Sequence, residues 1–172
     1  MDFKSWIIAE SSLAELFQST VDAFPNTTKR QYATDTINIT NVTFRPFLGM
    51  RTLFVKALAQ NEGKEYSPII VFKNVQYHQN QNPDLIKITE DGNDHFFEQL
   101  SMNTDVILRC GCADFYWRGV HFNHLDKSLY GRDRKRYEAM YNPGSSNPTQ
   151  SPIMCKHLIK LADTMRENNI II

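Results

Sequence analysis

The hydrophobic pattern changes period along the chain. In residues 3–23, Phe3, Trp6, Ile7, Leu13, Leu16, Phe17 and Val21 fall near one stripe at helical spacing, with Glu10 and Glu15 on other faces. This predicts an amphipathic helix, ended by Phe24-Pro25-Asn26. Such a helix either packs on its own domain or, with Phe3 and Trp6 near its tip, docks on another chain. The period then becomes two. Ile37 and Ile39, then Val42 and Phe44, alternate with Thr and Asn, and the parity slip at Thr40-Asn41 predicts a bulge or bend. Residues 51–58 and 67–77 predict two further strands, with Asn61-Glu62-Gly63-Lys64 as a hairpin loop between them. Ile69, Val71 and Val75 hold one parity and Ile70 and Phe72 the other, so this strand is expected to be covered on both faces for part of its length. The block reads as an antiparallel sheet of three or more strands.

Residues 78–83 form a polar Gln/Asn loop, 84–89 a short strand, Asp91-Gly92-Asn93-Asp94 a turn, and 95–100 one or two helical turns. A strong strand over 104–109 runs into Cys110, and the aromatic stretch 115–122 is expected as a second strand in a hairpin with it. Residues 124–151 show little hydrophobic periodicity. They hold the run Arg132-Asp133-Arg134-Lys135-Arg136, then Tyr137 and Tyr141, then Asn142-Pro143-Gly144, and loops of this length are usually functional or mobile. A last helix spans 155–167, with Leu158, Ile159, Ala162 and Met165 on its apolar face and Asn168-Asn169 as its stop. Ile170, Ile171 and Ile172 form an apolar tail expected to be buried in the fold or against a partner. The expected fold is α+β: a central antiparallel sheet, an N-terminal helical extension over residues 1–25, and a single domain over 26–172. No internal repeat is visible.

Composition narrows the function. Of 172 residues, 41% are hydrophobic, which supplies a real core for one domain. Lys and Arg number 19, as do Asp and Glu, and this balance argues against a bulk polyanion binder while leaving room for a local basic patch. No run of 18 apolar residues is present, so no membrane span is expected. No signal-peptide apolar region follows the first residues, which carry Asp2, Lys4 and Glu10. An odd count of three cysteines then favours a reducing compartment and metal binding over disulfides. In that setting, the Asn-x-Thr triplets at Asn26, Asn38 and Asn41 are loop and strand sequence.

All three cysteines belong to one pattern: Cys110-Gly-Cys112, a spacer of about 40 residues, then Cys155-Lys-His157. Thiolates and a neutral imidazole are the donors tetrahedral zinc prefers, and Cys₃His is a closed structural set. On a strand, residues two apart share a face, so Cys110 and Cys112 reach one metal. On a helix they diverge by about 200°. Cys155 is therefore expected at or just before the first helical turn, with His157 inside it, giving a zinc-binding module over 104–168. His121 and His124 lie near in sequence and are candidates to complete or replace a ligand, or polar residues at a strand edge.

This order of residues resembles the SWIM zinc-finger pattern, Cys-x-Cys followed by Cys-x-His, and Phe115, Leu158 and Ile159 fit it as well. The resemblance covers roughly the last 70 residues, and implies a zinc-held module that binds nucleic acid or protein. A second resemblance covers more of the chain. Cys-x-Cys-x-Asp-Phe, a basic and aromatic insertion, Asn142-Pro143, then Cys-Lys-His-Leu look like small proteins of tailed bacteriophages, particularly contractile-tailed phages of cyanobacteria. The opening Asp2-Phe3-Lys4-Ser5-Trp6 looks like the amphipathic openings of such proteins. This implies a virion component, made in the host cytoplasm, whose partners are other virion proteins or copies of itself.

An enzyme is not expected. A closed Cys₃His set leaves no position for water, no carboxylate constellation is recognisable, and the seven glycines form no phosphate loop. No small-molecule substrate is implied. The expected function is a structural virion part (tail, baseplate, neck or capsid) stabilised by structural zinc, with Phe3, Trp6, Ile170, Ile171 and Ile172 as interface candidates. The alternative is a nucleic-acid-binding module using loop 130–141. There Arg132, Arg134, Lys135 and Arg136, flanked by Tyr130 and Tyr137, offer phosphate and stacking contacts, or form an ordinary solvated charged loop.

Overall fold

The computed structural model describes residues 11–25, 31–134 and 146–172. Phe3, Trp6, Ile7, Lys135, Arg136, Tyr137 and Tyr141, singled out above, lie outside the described residues. The architecture is α+β, with an N-terminal helix, antiparallel sheets and a C-terminal helix.

The first helix of the described residues, α1 (Leu13–Ala23), is capped by Ser12. The Ser12 hydroxyl accepts the Glu15 N–H at 3.2 Å and the Glu15 carboxylate accepts the Ser12 N–H at 2.7 Å, a reciprocal capping box. Leu13 and Leu16 are fully buried in the main core. Burial of this kind stabilises by about 1.5–3 kcal/mol per side chain.

The main sheet contains β1 (Asn38–Phe47), β2 (Thr52–Asn61), β4 (Ile69–Phe72) and β8 (Val106–Arg109) in the order β1-β2-β4-β8, all antiparallel. The short β3 (Lys64–Tyr66) also pairs with β2. The expected bulge is present: the β1–β2 register shifts between Thr40 and Thr43, and Asn41 has φ +49°. The expected hairpin loop is present too, closed by Asn61 opposite Lys64 with Glu62 and Gly63 both at positive φ, as a primed two-residue turn needs. A second, three-stranded sheet runs β5 (Tyr77–His78), β7 (Asn93–Phe97), β6 (Ile86–Glu90).

Three local expectations are corrected. The strand expected over 67–77 is divided: at Asn74 the chain takes φ +56° and leaves the main sheet for the second one. Residues 95–100 are not helical. Asp91 and Gly92, both at positive φ, form the tight turn that folds 93–97 back onto β6 as β7. The aromatic stretch 115–122 is not a strand and makes no hairpin with β8. It forms two short helices, α2 (Ala113–Arg118) and α3 (Val120–Leu125), meeting at Gly119. A Cβ at Gly119 would lie 2.9 Å from the Phe115 ring, so this close approach requires glycine. Both edges of β8 are accounted for by β4 and by a bridge to Leu129.

The last helix, α4 (Lys156–Glu167), buries Leu158, Leu161, Ala162 and Met165 against the same core. The tail then runs parallel to the segment around Leu100. The Leu100 N–H donates to the Ile170 carbonyl, and the Ile172 N–H donates to the Leu100 carbonyl. Ile171 is 2% exposed and belongs to the core, Ile170 is half-buried, and Ile172 is 69% exposed. Ile171→Ala is therefore expected to lower unfolding stability by about 2–5 kcal/mol. Ile172→Ala should stay within about 0.5 kcal/mol of wild type. Chemical denaturation of both variants separates the two; equal losses would place the tail's packing elsewhere.

Candidate metal centre

Cys110 leaves the end of β8, Cys112 is the N-cap of α2, and Cys155 is the N-cap of α4 with His157 in its first turn. The geometry of the second pair is as expected from the helical angle. The first pair differs in detail: Cys110 and Cys112 sit just past the strand, in extended backbone that turns into a helix rather than into a hairpin. All four residues are buried, at 2%, 3%, 0% and 3% exposure, and their ligand atoms lie within 4.8 Å of one another. His157 Nδ1 is 3.8 Å from Cys110 Sγ and 3.9 Å from Cys155 Sγ. A metal at bond lengths near 2.0–2.3 Å separates its donors by roughly 3.5–3.8 Å in a tetrahedron. The cluster is compatible with a bound metal.

The electrostatics of the cluster point the same way. The Cys110 and Cys155 thiols donate toward Cys112, which holds Cys112 well below the ordinary thiol range; His157 and the Phe115 N–H, 3.3 Å from its sulfur, add to this. Cys110 is pushed up by the hydrogen bond it gives Cys112, and Cys155 is pushed up by complete burial. Like charges this close disfavour one another, so ionisation of all three sulfurs together is opposed. A divalent cation removes that restriction and favours three thiolates. The N-termini of α2 and α4 both face the sulfurs and favour negative charge there. On the other side of His157, the Tyr66 ring packs at 4.4 Å from the imidazole, and Nε2 is buried without a hydrogen-bond partner among the described residues.

The segment that delivers Cys155 is held by polar side chains that no periodicity marked. Ser19 donates to the Pro152 carbonyl at 2.6 Å. Asn123, fully buried, donates to the Ile153 carbonyl at 3.2 Å and accepts the Ile153 N–H at 3.0 Å. Thr20 donates to its own helix at Leu16 and accepts the Met154 N–H at 2.8 Å. Gln31 donates to the Met154 carbonyl at 2.8 Å and is itself held by Arg118. An irregular buried segment must have its backbone groups satisfied, and here side chains from α1, α3 and the loop before β1 satisfy them.

His121 and His124 are not in the cluster. Both lie on α3 rather than at a strand edge, and His121 Nδ1 faces Asp133 at 3.4 Å. Of the basic loop, Arg132 is exposed, while the Arg134 guanidinium lies 5.8 Å and 5.2 Å from the ring centroids of Tyr116 and Trp117. Tyr130 is turned the other way, edge-on to Phe54 beneath the main sheet, so it does not flank the charge run as a free stacking ring. No helix among the described residues is long and apolar enough to cross a membrane. No protein-family model, curated protein or solved structure matches the chain.

Asn123→Ala removes both partners of the Ile153 peptide groups, and an unpaired buried group costs about 1–3 kcal/mol. Metal affinity, measured by competition with a chromogenic chelator, is expected to fall by about 10–100-fold, the range seen when groups that orient ligands are lost. Unchanged affinity would show that the segment is held without Asn123.

Proposed function

We propose that this chain is a structural protein of a tailed-phage particle, in which one structural zinc ion fastens the last helix to the end of the main sheet. The observation that carries this reading is the burial of Cys110, Cys112, Cys155 and His157 around one point. Three sulfurs and one imidazole nitrogen form a soft, four-donor set that suits tetrahedral zinc, and they leave no coordination position for water. The role of such an ion is folding free energy, not chemistry. The order of the four ligands supports kinship with SWIM-type modules, and Cys110 to Phe115 with Cys155 to Leu158 supports the phage assignment. Partners are then other virion proteins or further copies of the chain, with Ile172 and the N-terminal residues Phe3 and Trp6 as contact candidates.

Elemental analysis of the purified protein should give about one zinc per chain. Cys155→Ser should abolish it and leave a chain that unfolds at lower temperature and is absent from assembled particles. A wild-type protein that folds fully without metal, or particles that incorporate Cys155→Ser at the normal level, would defeat the proposal.

A second reading keeps one specific observation: Arg134 over the exposed Trp117 and Tyr116 is a cationic, aromatic patch beside the basic run. Such patches bind single-stranded nucleic acid. If this one does, removing charge from Arg132, Arg134, Lys135 and Arg136 leaves folding intact but weakens retention on DNA and flattens its salt dependence. Wild-type protein that shows no salt-dependent retention ends this reading.

A further inference from the structure

The main sheet has two faces, and only one carries the core and the metal centre. On the other, register places Arg45, Phe54, Val71 and Ile107 in one row across four strands. The adjacent row is Thr43, Lys56, Ile69 and Arg109. Lys73, two residues after Val71, projects to this face as well. Tyr130 crosses it, packing edge-on to Phe54 at 5.6 Å, and between these elements lies a cavity of about 240 Å³. Its floor is Phe54, Val71 and Ile107, its walls include Phe47, Met50 and Tyr130, and its cations are Arg45 and Lys73.

Three features define what the cavity takes. Its volume lies below the roughly 300–1,000 Å³ of pockets that enclose a whole small molecule, and suits one large side chain. It opens beside a turn that leaves Phe47, Leu48 and Met50 at 47%, 51% and 52% exposure, a continuous apolar rim of the kind that marks protein contacts. The face also carries the cationic side chains of Arg45, Lys56 and Arg109, with Lys73 buried in the cavity lining. Glu90 lies 3.9 Å from Arg45 at its border. Arg109 donates to the carbonyls of Tyr130 and Arg132.

We propose that this second face of the main sheet docks an acidic segment of another protein, which inserts one large apolar side chain into the cavity. The choice of a protein partner rests on the assembly reading given above. The geometry itself disfavours nucleic acid. Phe54 and Tyr130 pack on each other and form a socket, whereas successive bases need a row of open ring faces. Opposite charge at the rim then sets orientation and speeds encounter, while the buried anchor supplies most of the affinity.

The test is selection of a random peptide library against the full, metal-loaded chain. Enriched peptides should carry a large apolar residue with Asp or Glu nearby. Their binding should weaken by about tenfold or more on Arg45→Glu and on Met50→Ser, both at exposed side chains that leave the fold intact. Leu125→Ser, an exposed apolar residue on α3, should change it by less than about twofold. No enrichment, enrichment without acidic residues, or indifference to Arg45→Glu and Met50→Ser would overturn the proposal. So would a single-stranded oligothymidine that binds with the same sensitivity to those two substitutions. The selection uses the isolated chain, so its failure leaves zinc content and particle incorporation untouched, and failure of those leaves the selection result standing.

Discussion

Three thiols and an imidazole are buried together where the last strand of the main sheet ends and the last helix begins, and most of the C-terminal half is arranged around the cost of that burial. Full ionisation of the three sulfurs is opposed: burial and the neighbouring sulfurs push Cys110 and Cys155 up, while hydrogen bonds from them hold Cys112 down. A cation at their centre would remove the conflict, and its binding would become folding free energy. It would also close a chain segment of about 40 residues, a closure whose entropic cost rises only slowly with length. That is why the spacer between the two ligand pairs can be long, provided both ends are held firmly.

Firm holding explains the polar groups in the core. Thr20, Gln31, Asn123 and Asn147 are each 2% exposed or less. Thr20, Gln31 and Asn123 bond to the backbone of residues 153–154, and Asn147 donates to the carbonyls of Arg118 and Ser151. A hydrophobic segment in this place would leave peptide groups unpaired, and a helix would carry Cys155 out of reach of Cys110. The extended, side-chain-bonded path is what lets Cys155 arrive as an N-cap, with its sulfur turned to the cluster instead of to its own helix. Pinning and ligation thus support each other through a few residues.

How much of this was legible in the sequence depended on whether the signal was local. The ligand set was readable because thiols and imidazole have few other reasons to pair at that spacing. The hairpin at Glu62-Gly63 was readable because positive φ has a residue signature, and the bulge near Asn41 because the hydrophobic parity slips there. Asp91-Gly92 marks the turn in the sequence, and a primed turn demands a strand on both sides, which forbids a helix at 95–100. The stretch 115–122 misled for a different reason. Tyr116, Trp117 and Phe122 have high strand propensity, yet the cap at Cys112 and the Phe115–Gly119 contact decide the backbone. Ser12 and Glu15 form a capping box whose four-residue span is short beside the apolar stripe that runs across it. Asn123 and Thr20 gave no signal at all, since a single buried polar residue has no period.

The two sheet faces divide the work. The core face takes α1, α4, the tail through Ile171 and the Cys/His cluster. The opposite face carries a small cluster, Val71 and Ile107 with Phe54, Ile69 and Tyr130 against them, beside a cavity lined in part by Arg45 and Lys73. A domain of this size buries its larger face first, because that face offers most area per residue ordered. What remains is a charged, partly apolar surface built on the β1-β2-β4-β8 ladder. β8 contributes residues to both faces, so the strand that runs into the candidate metal cluster also forms part of that surface, although no ligand projects toward it.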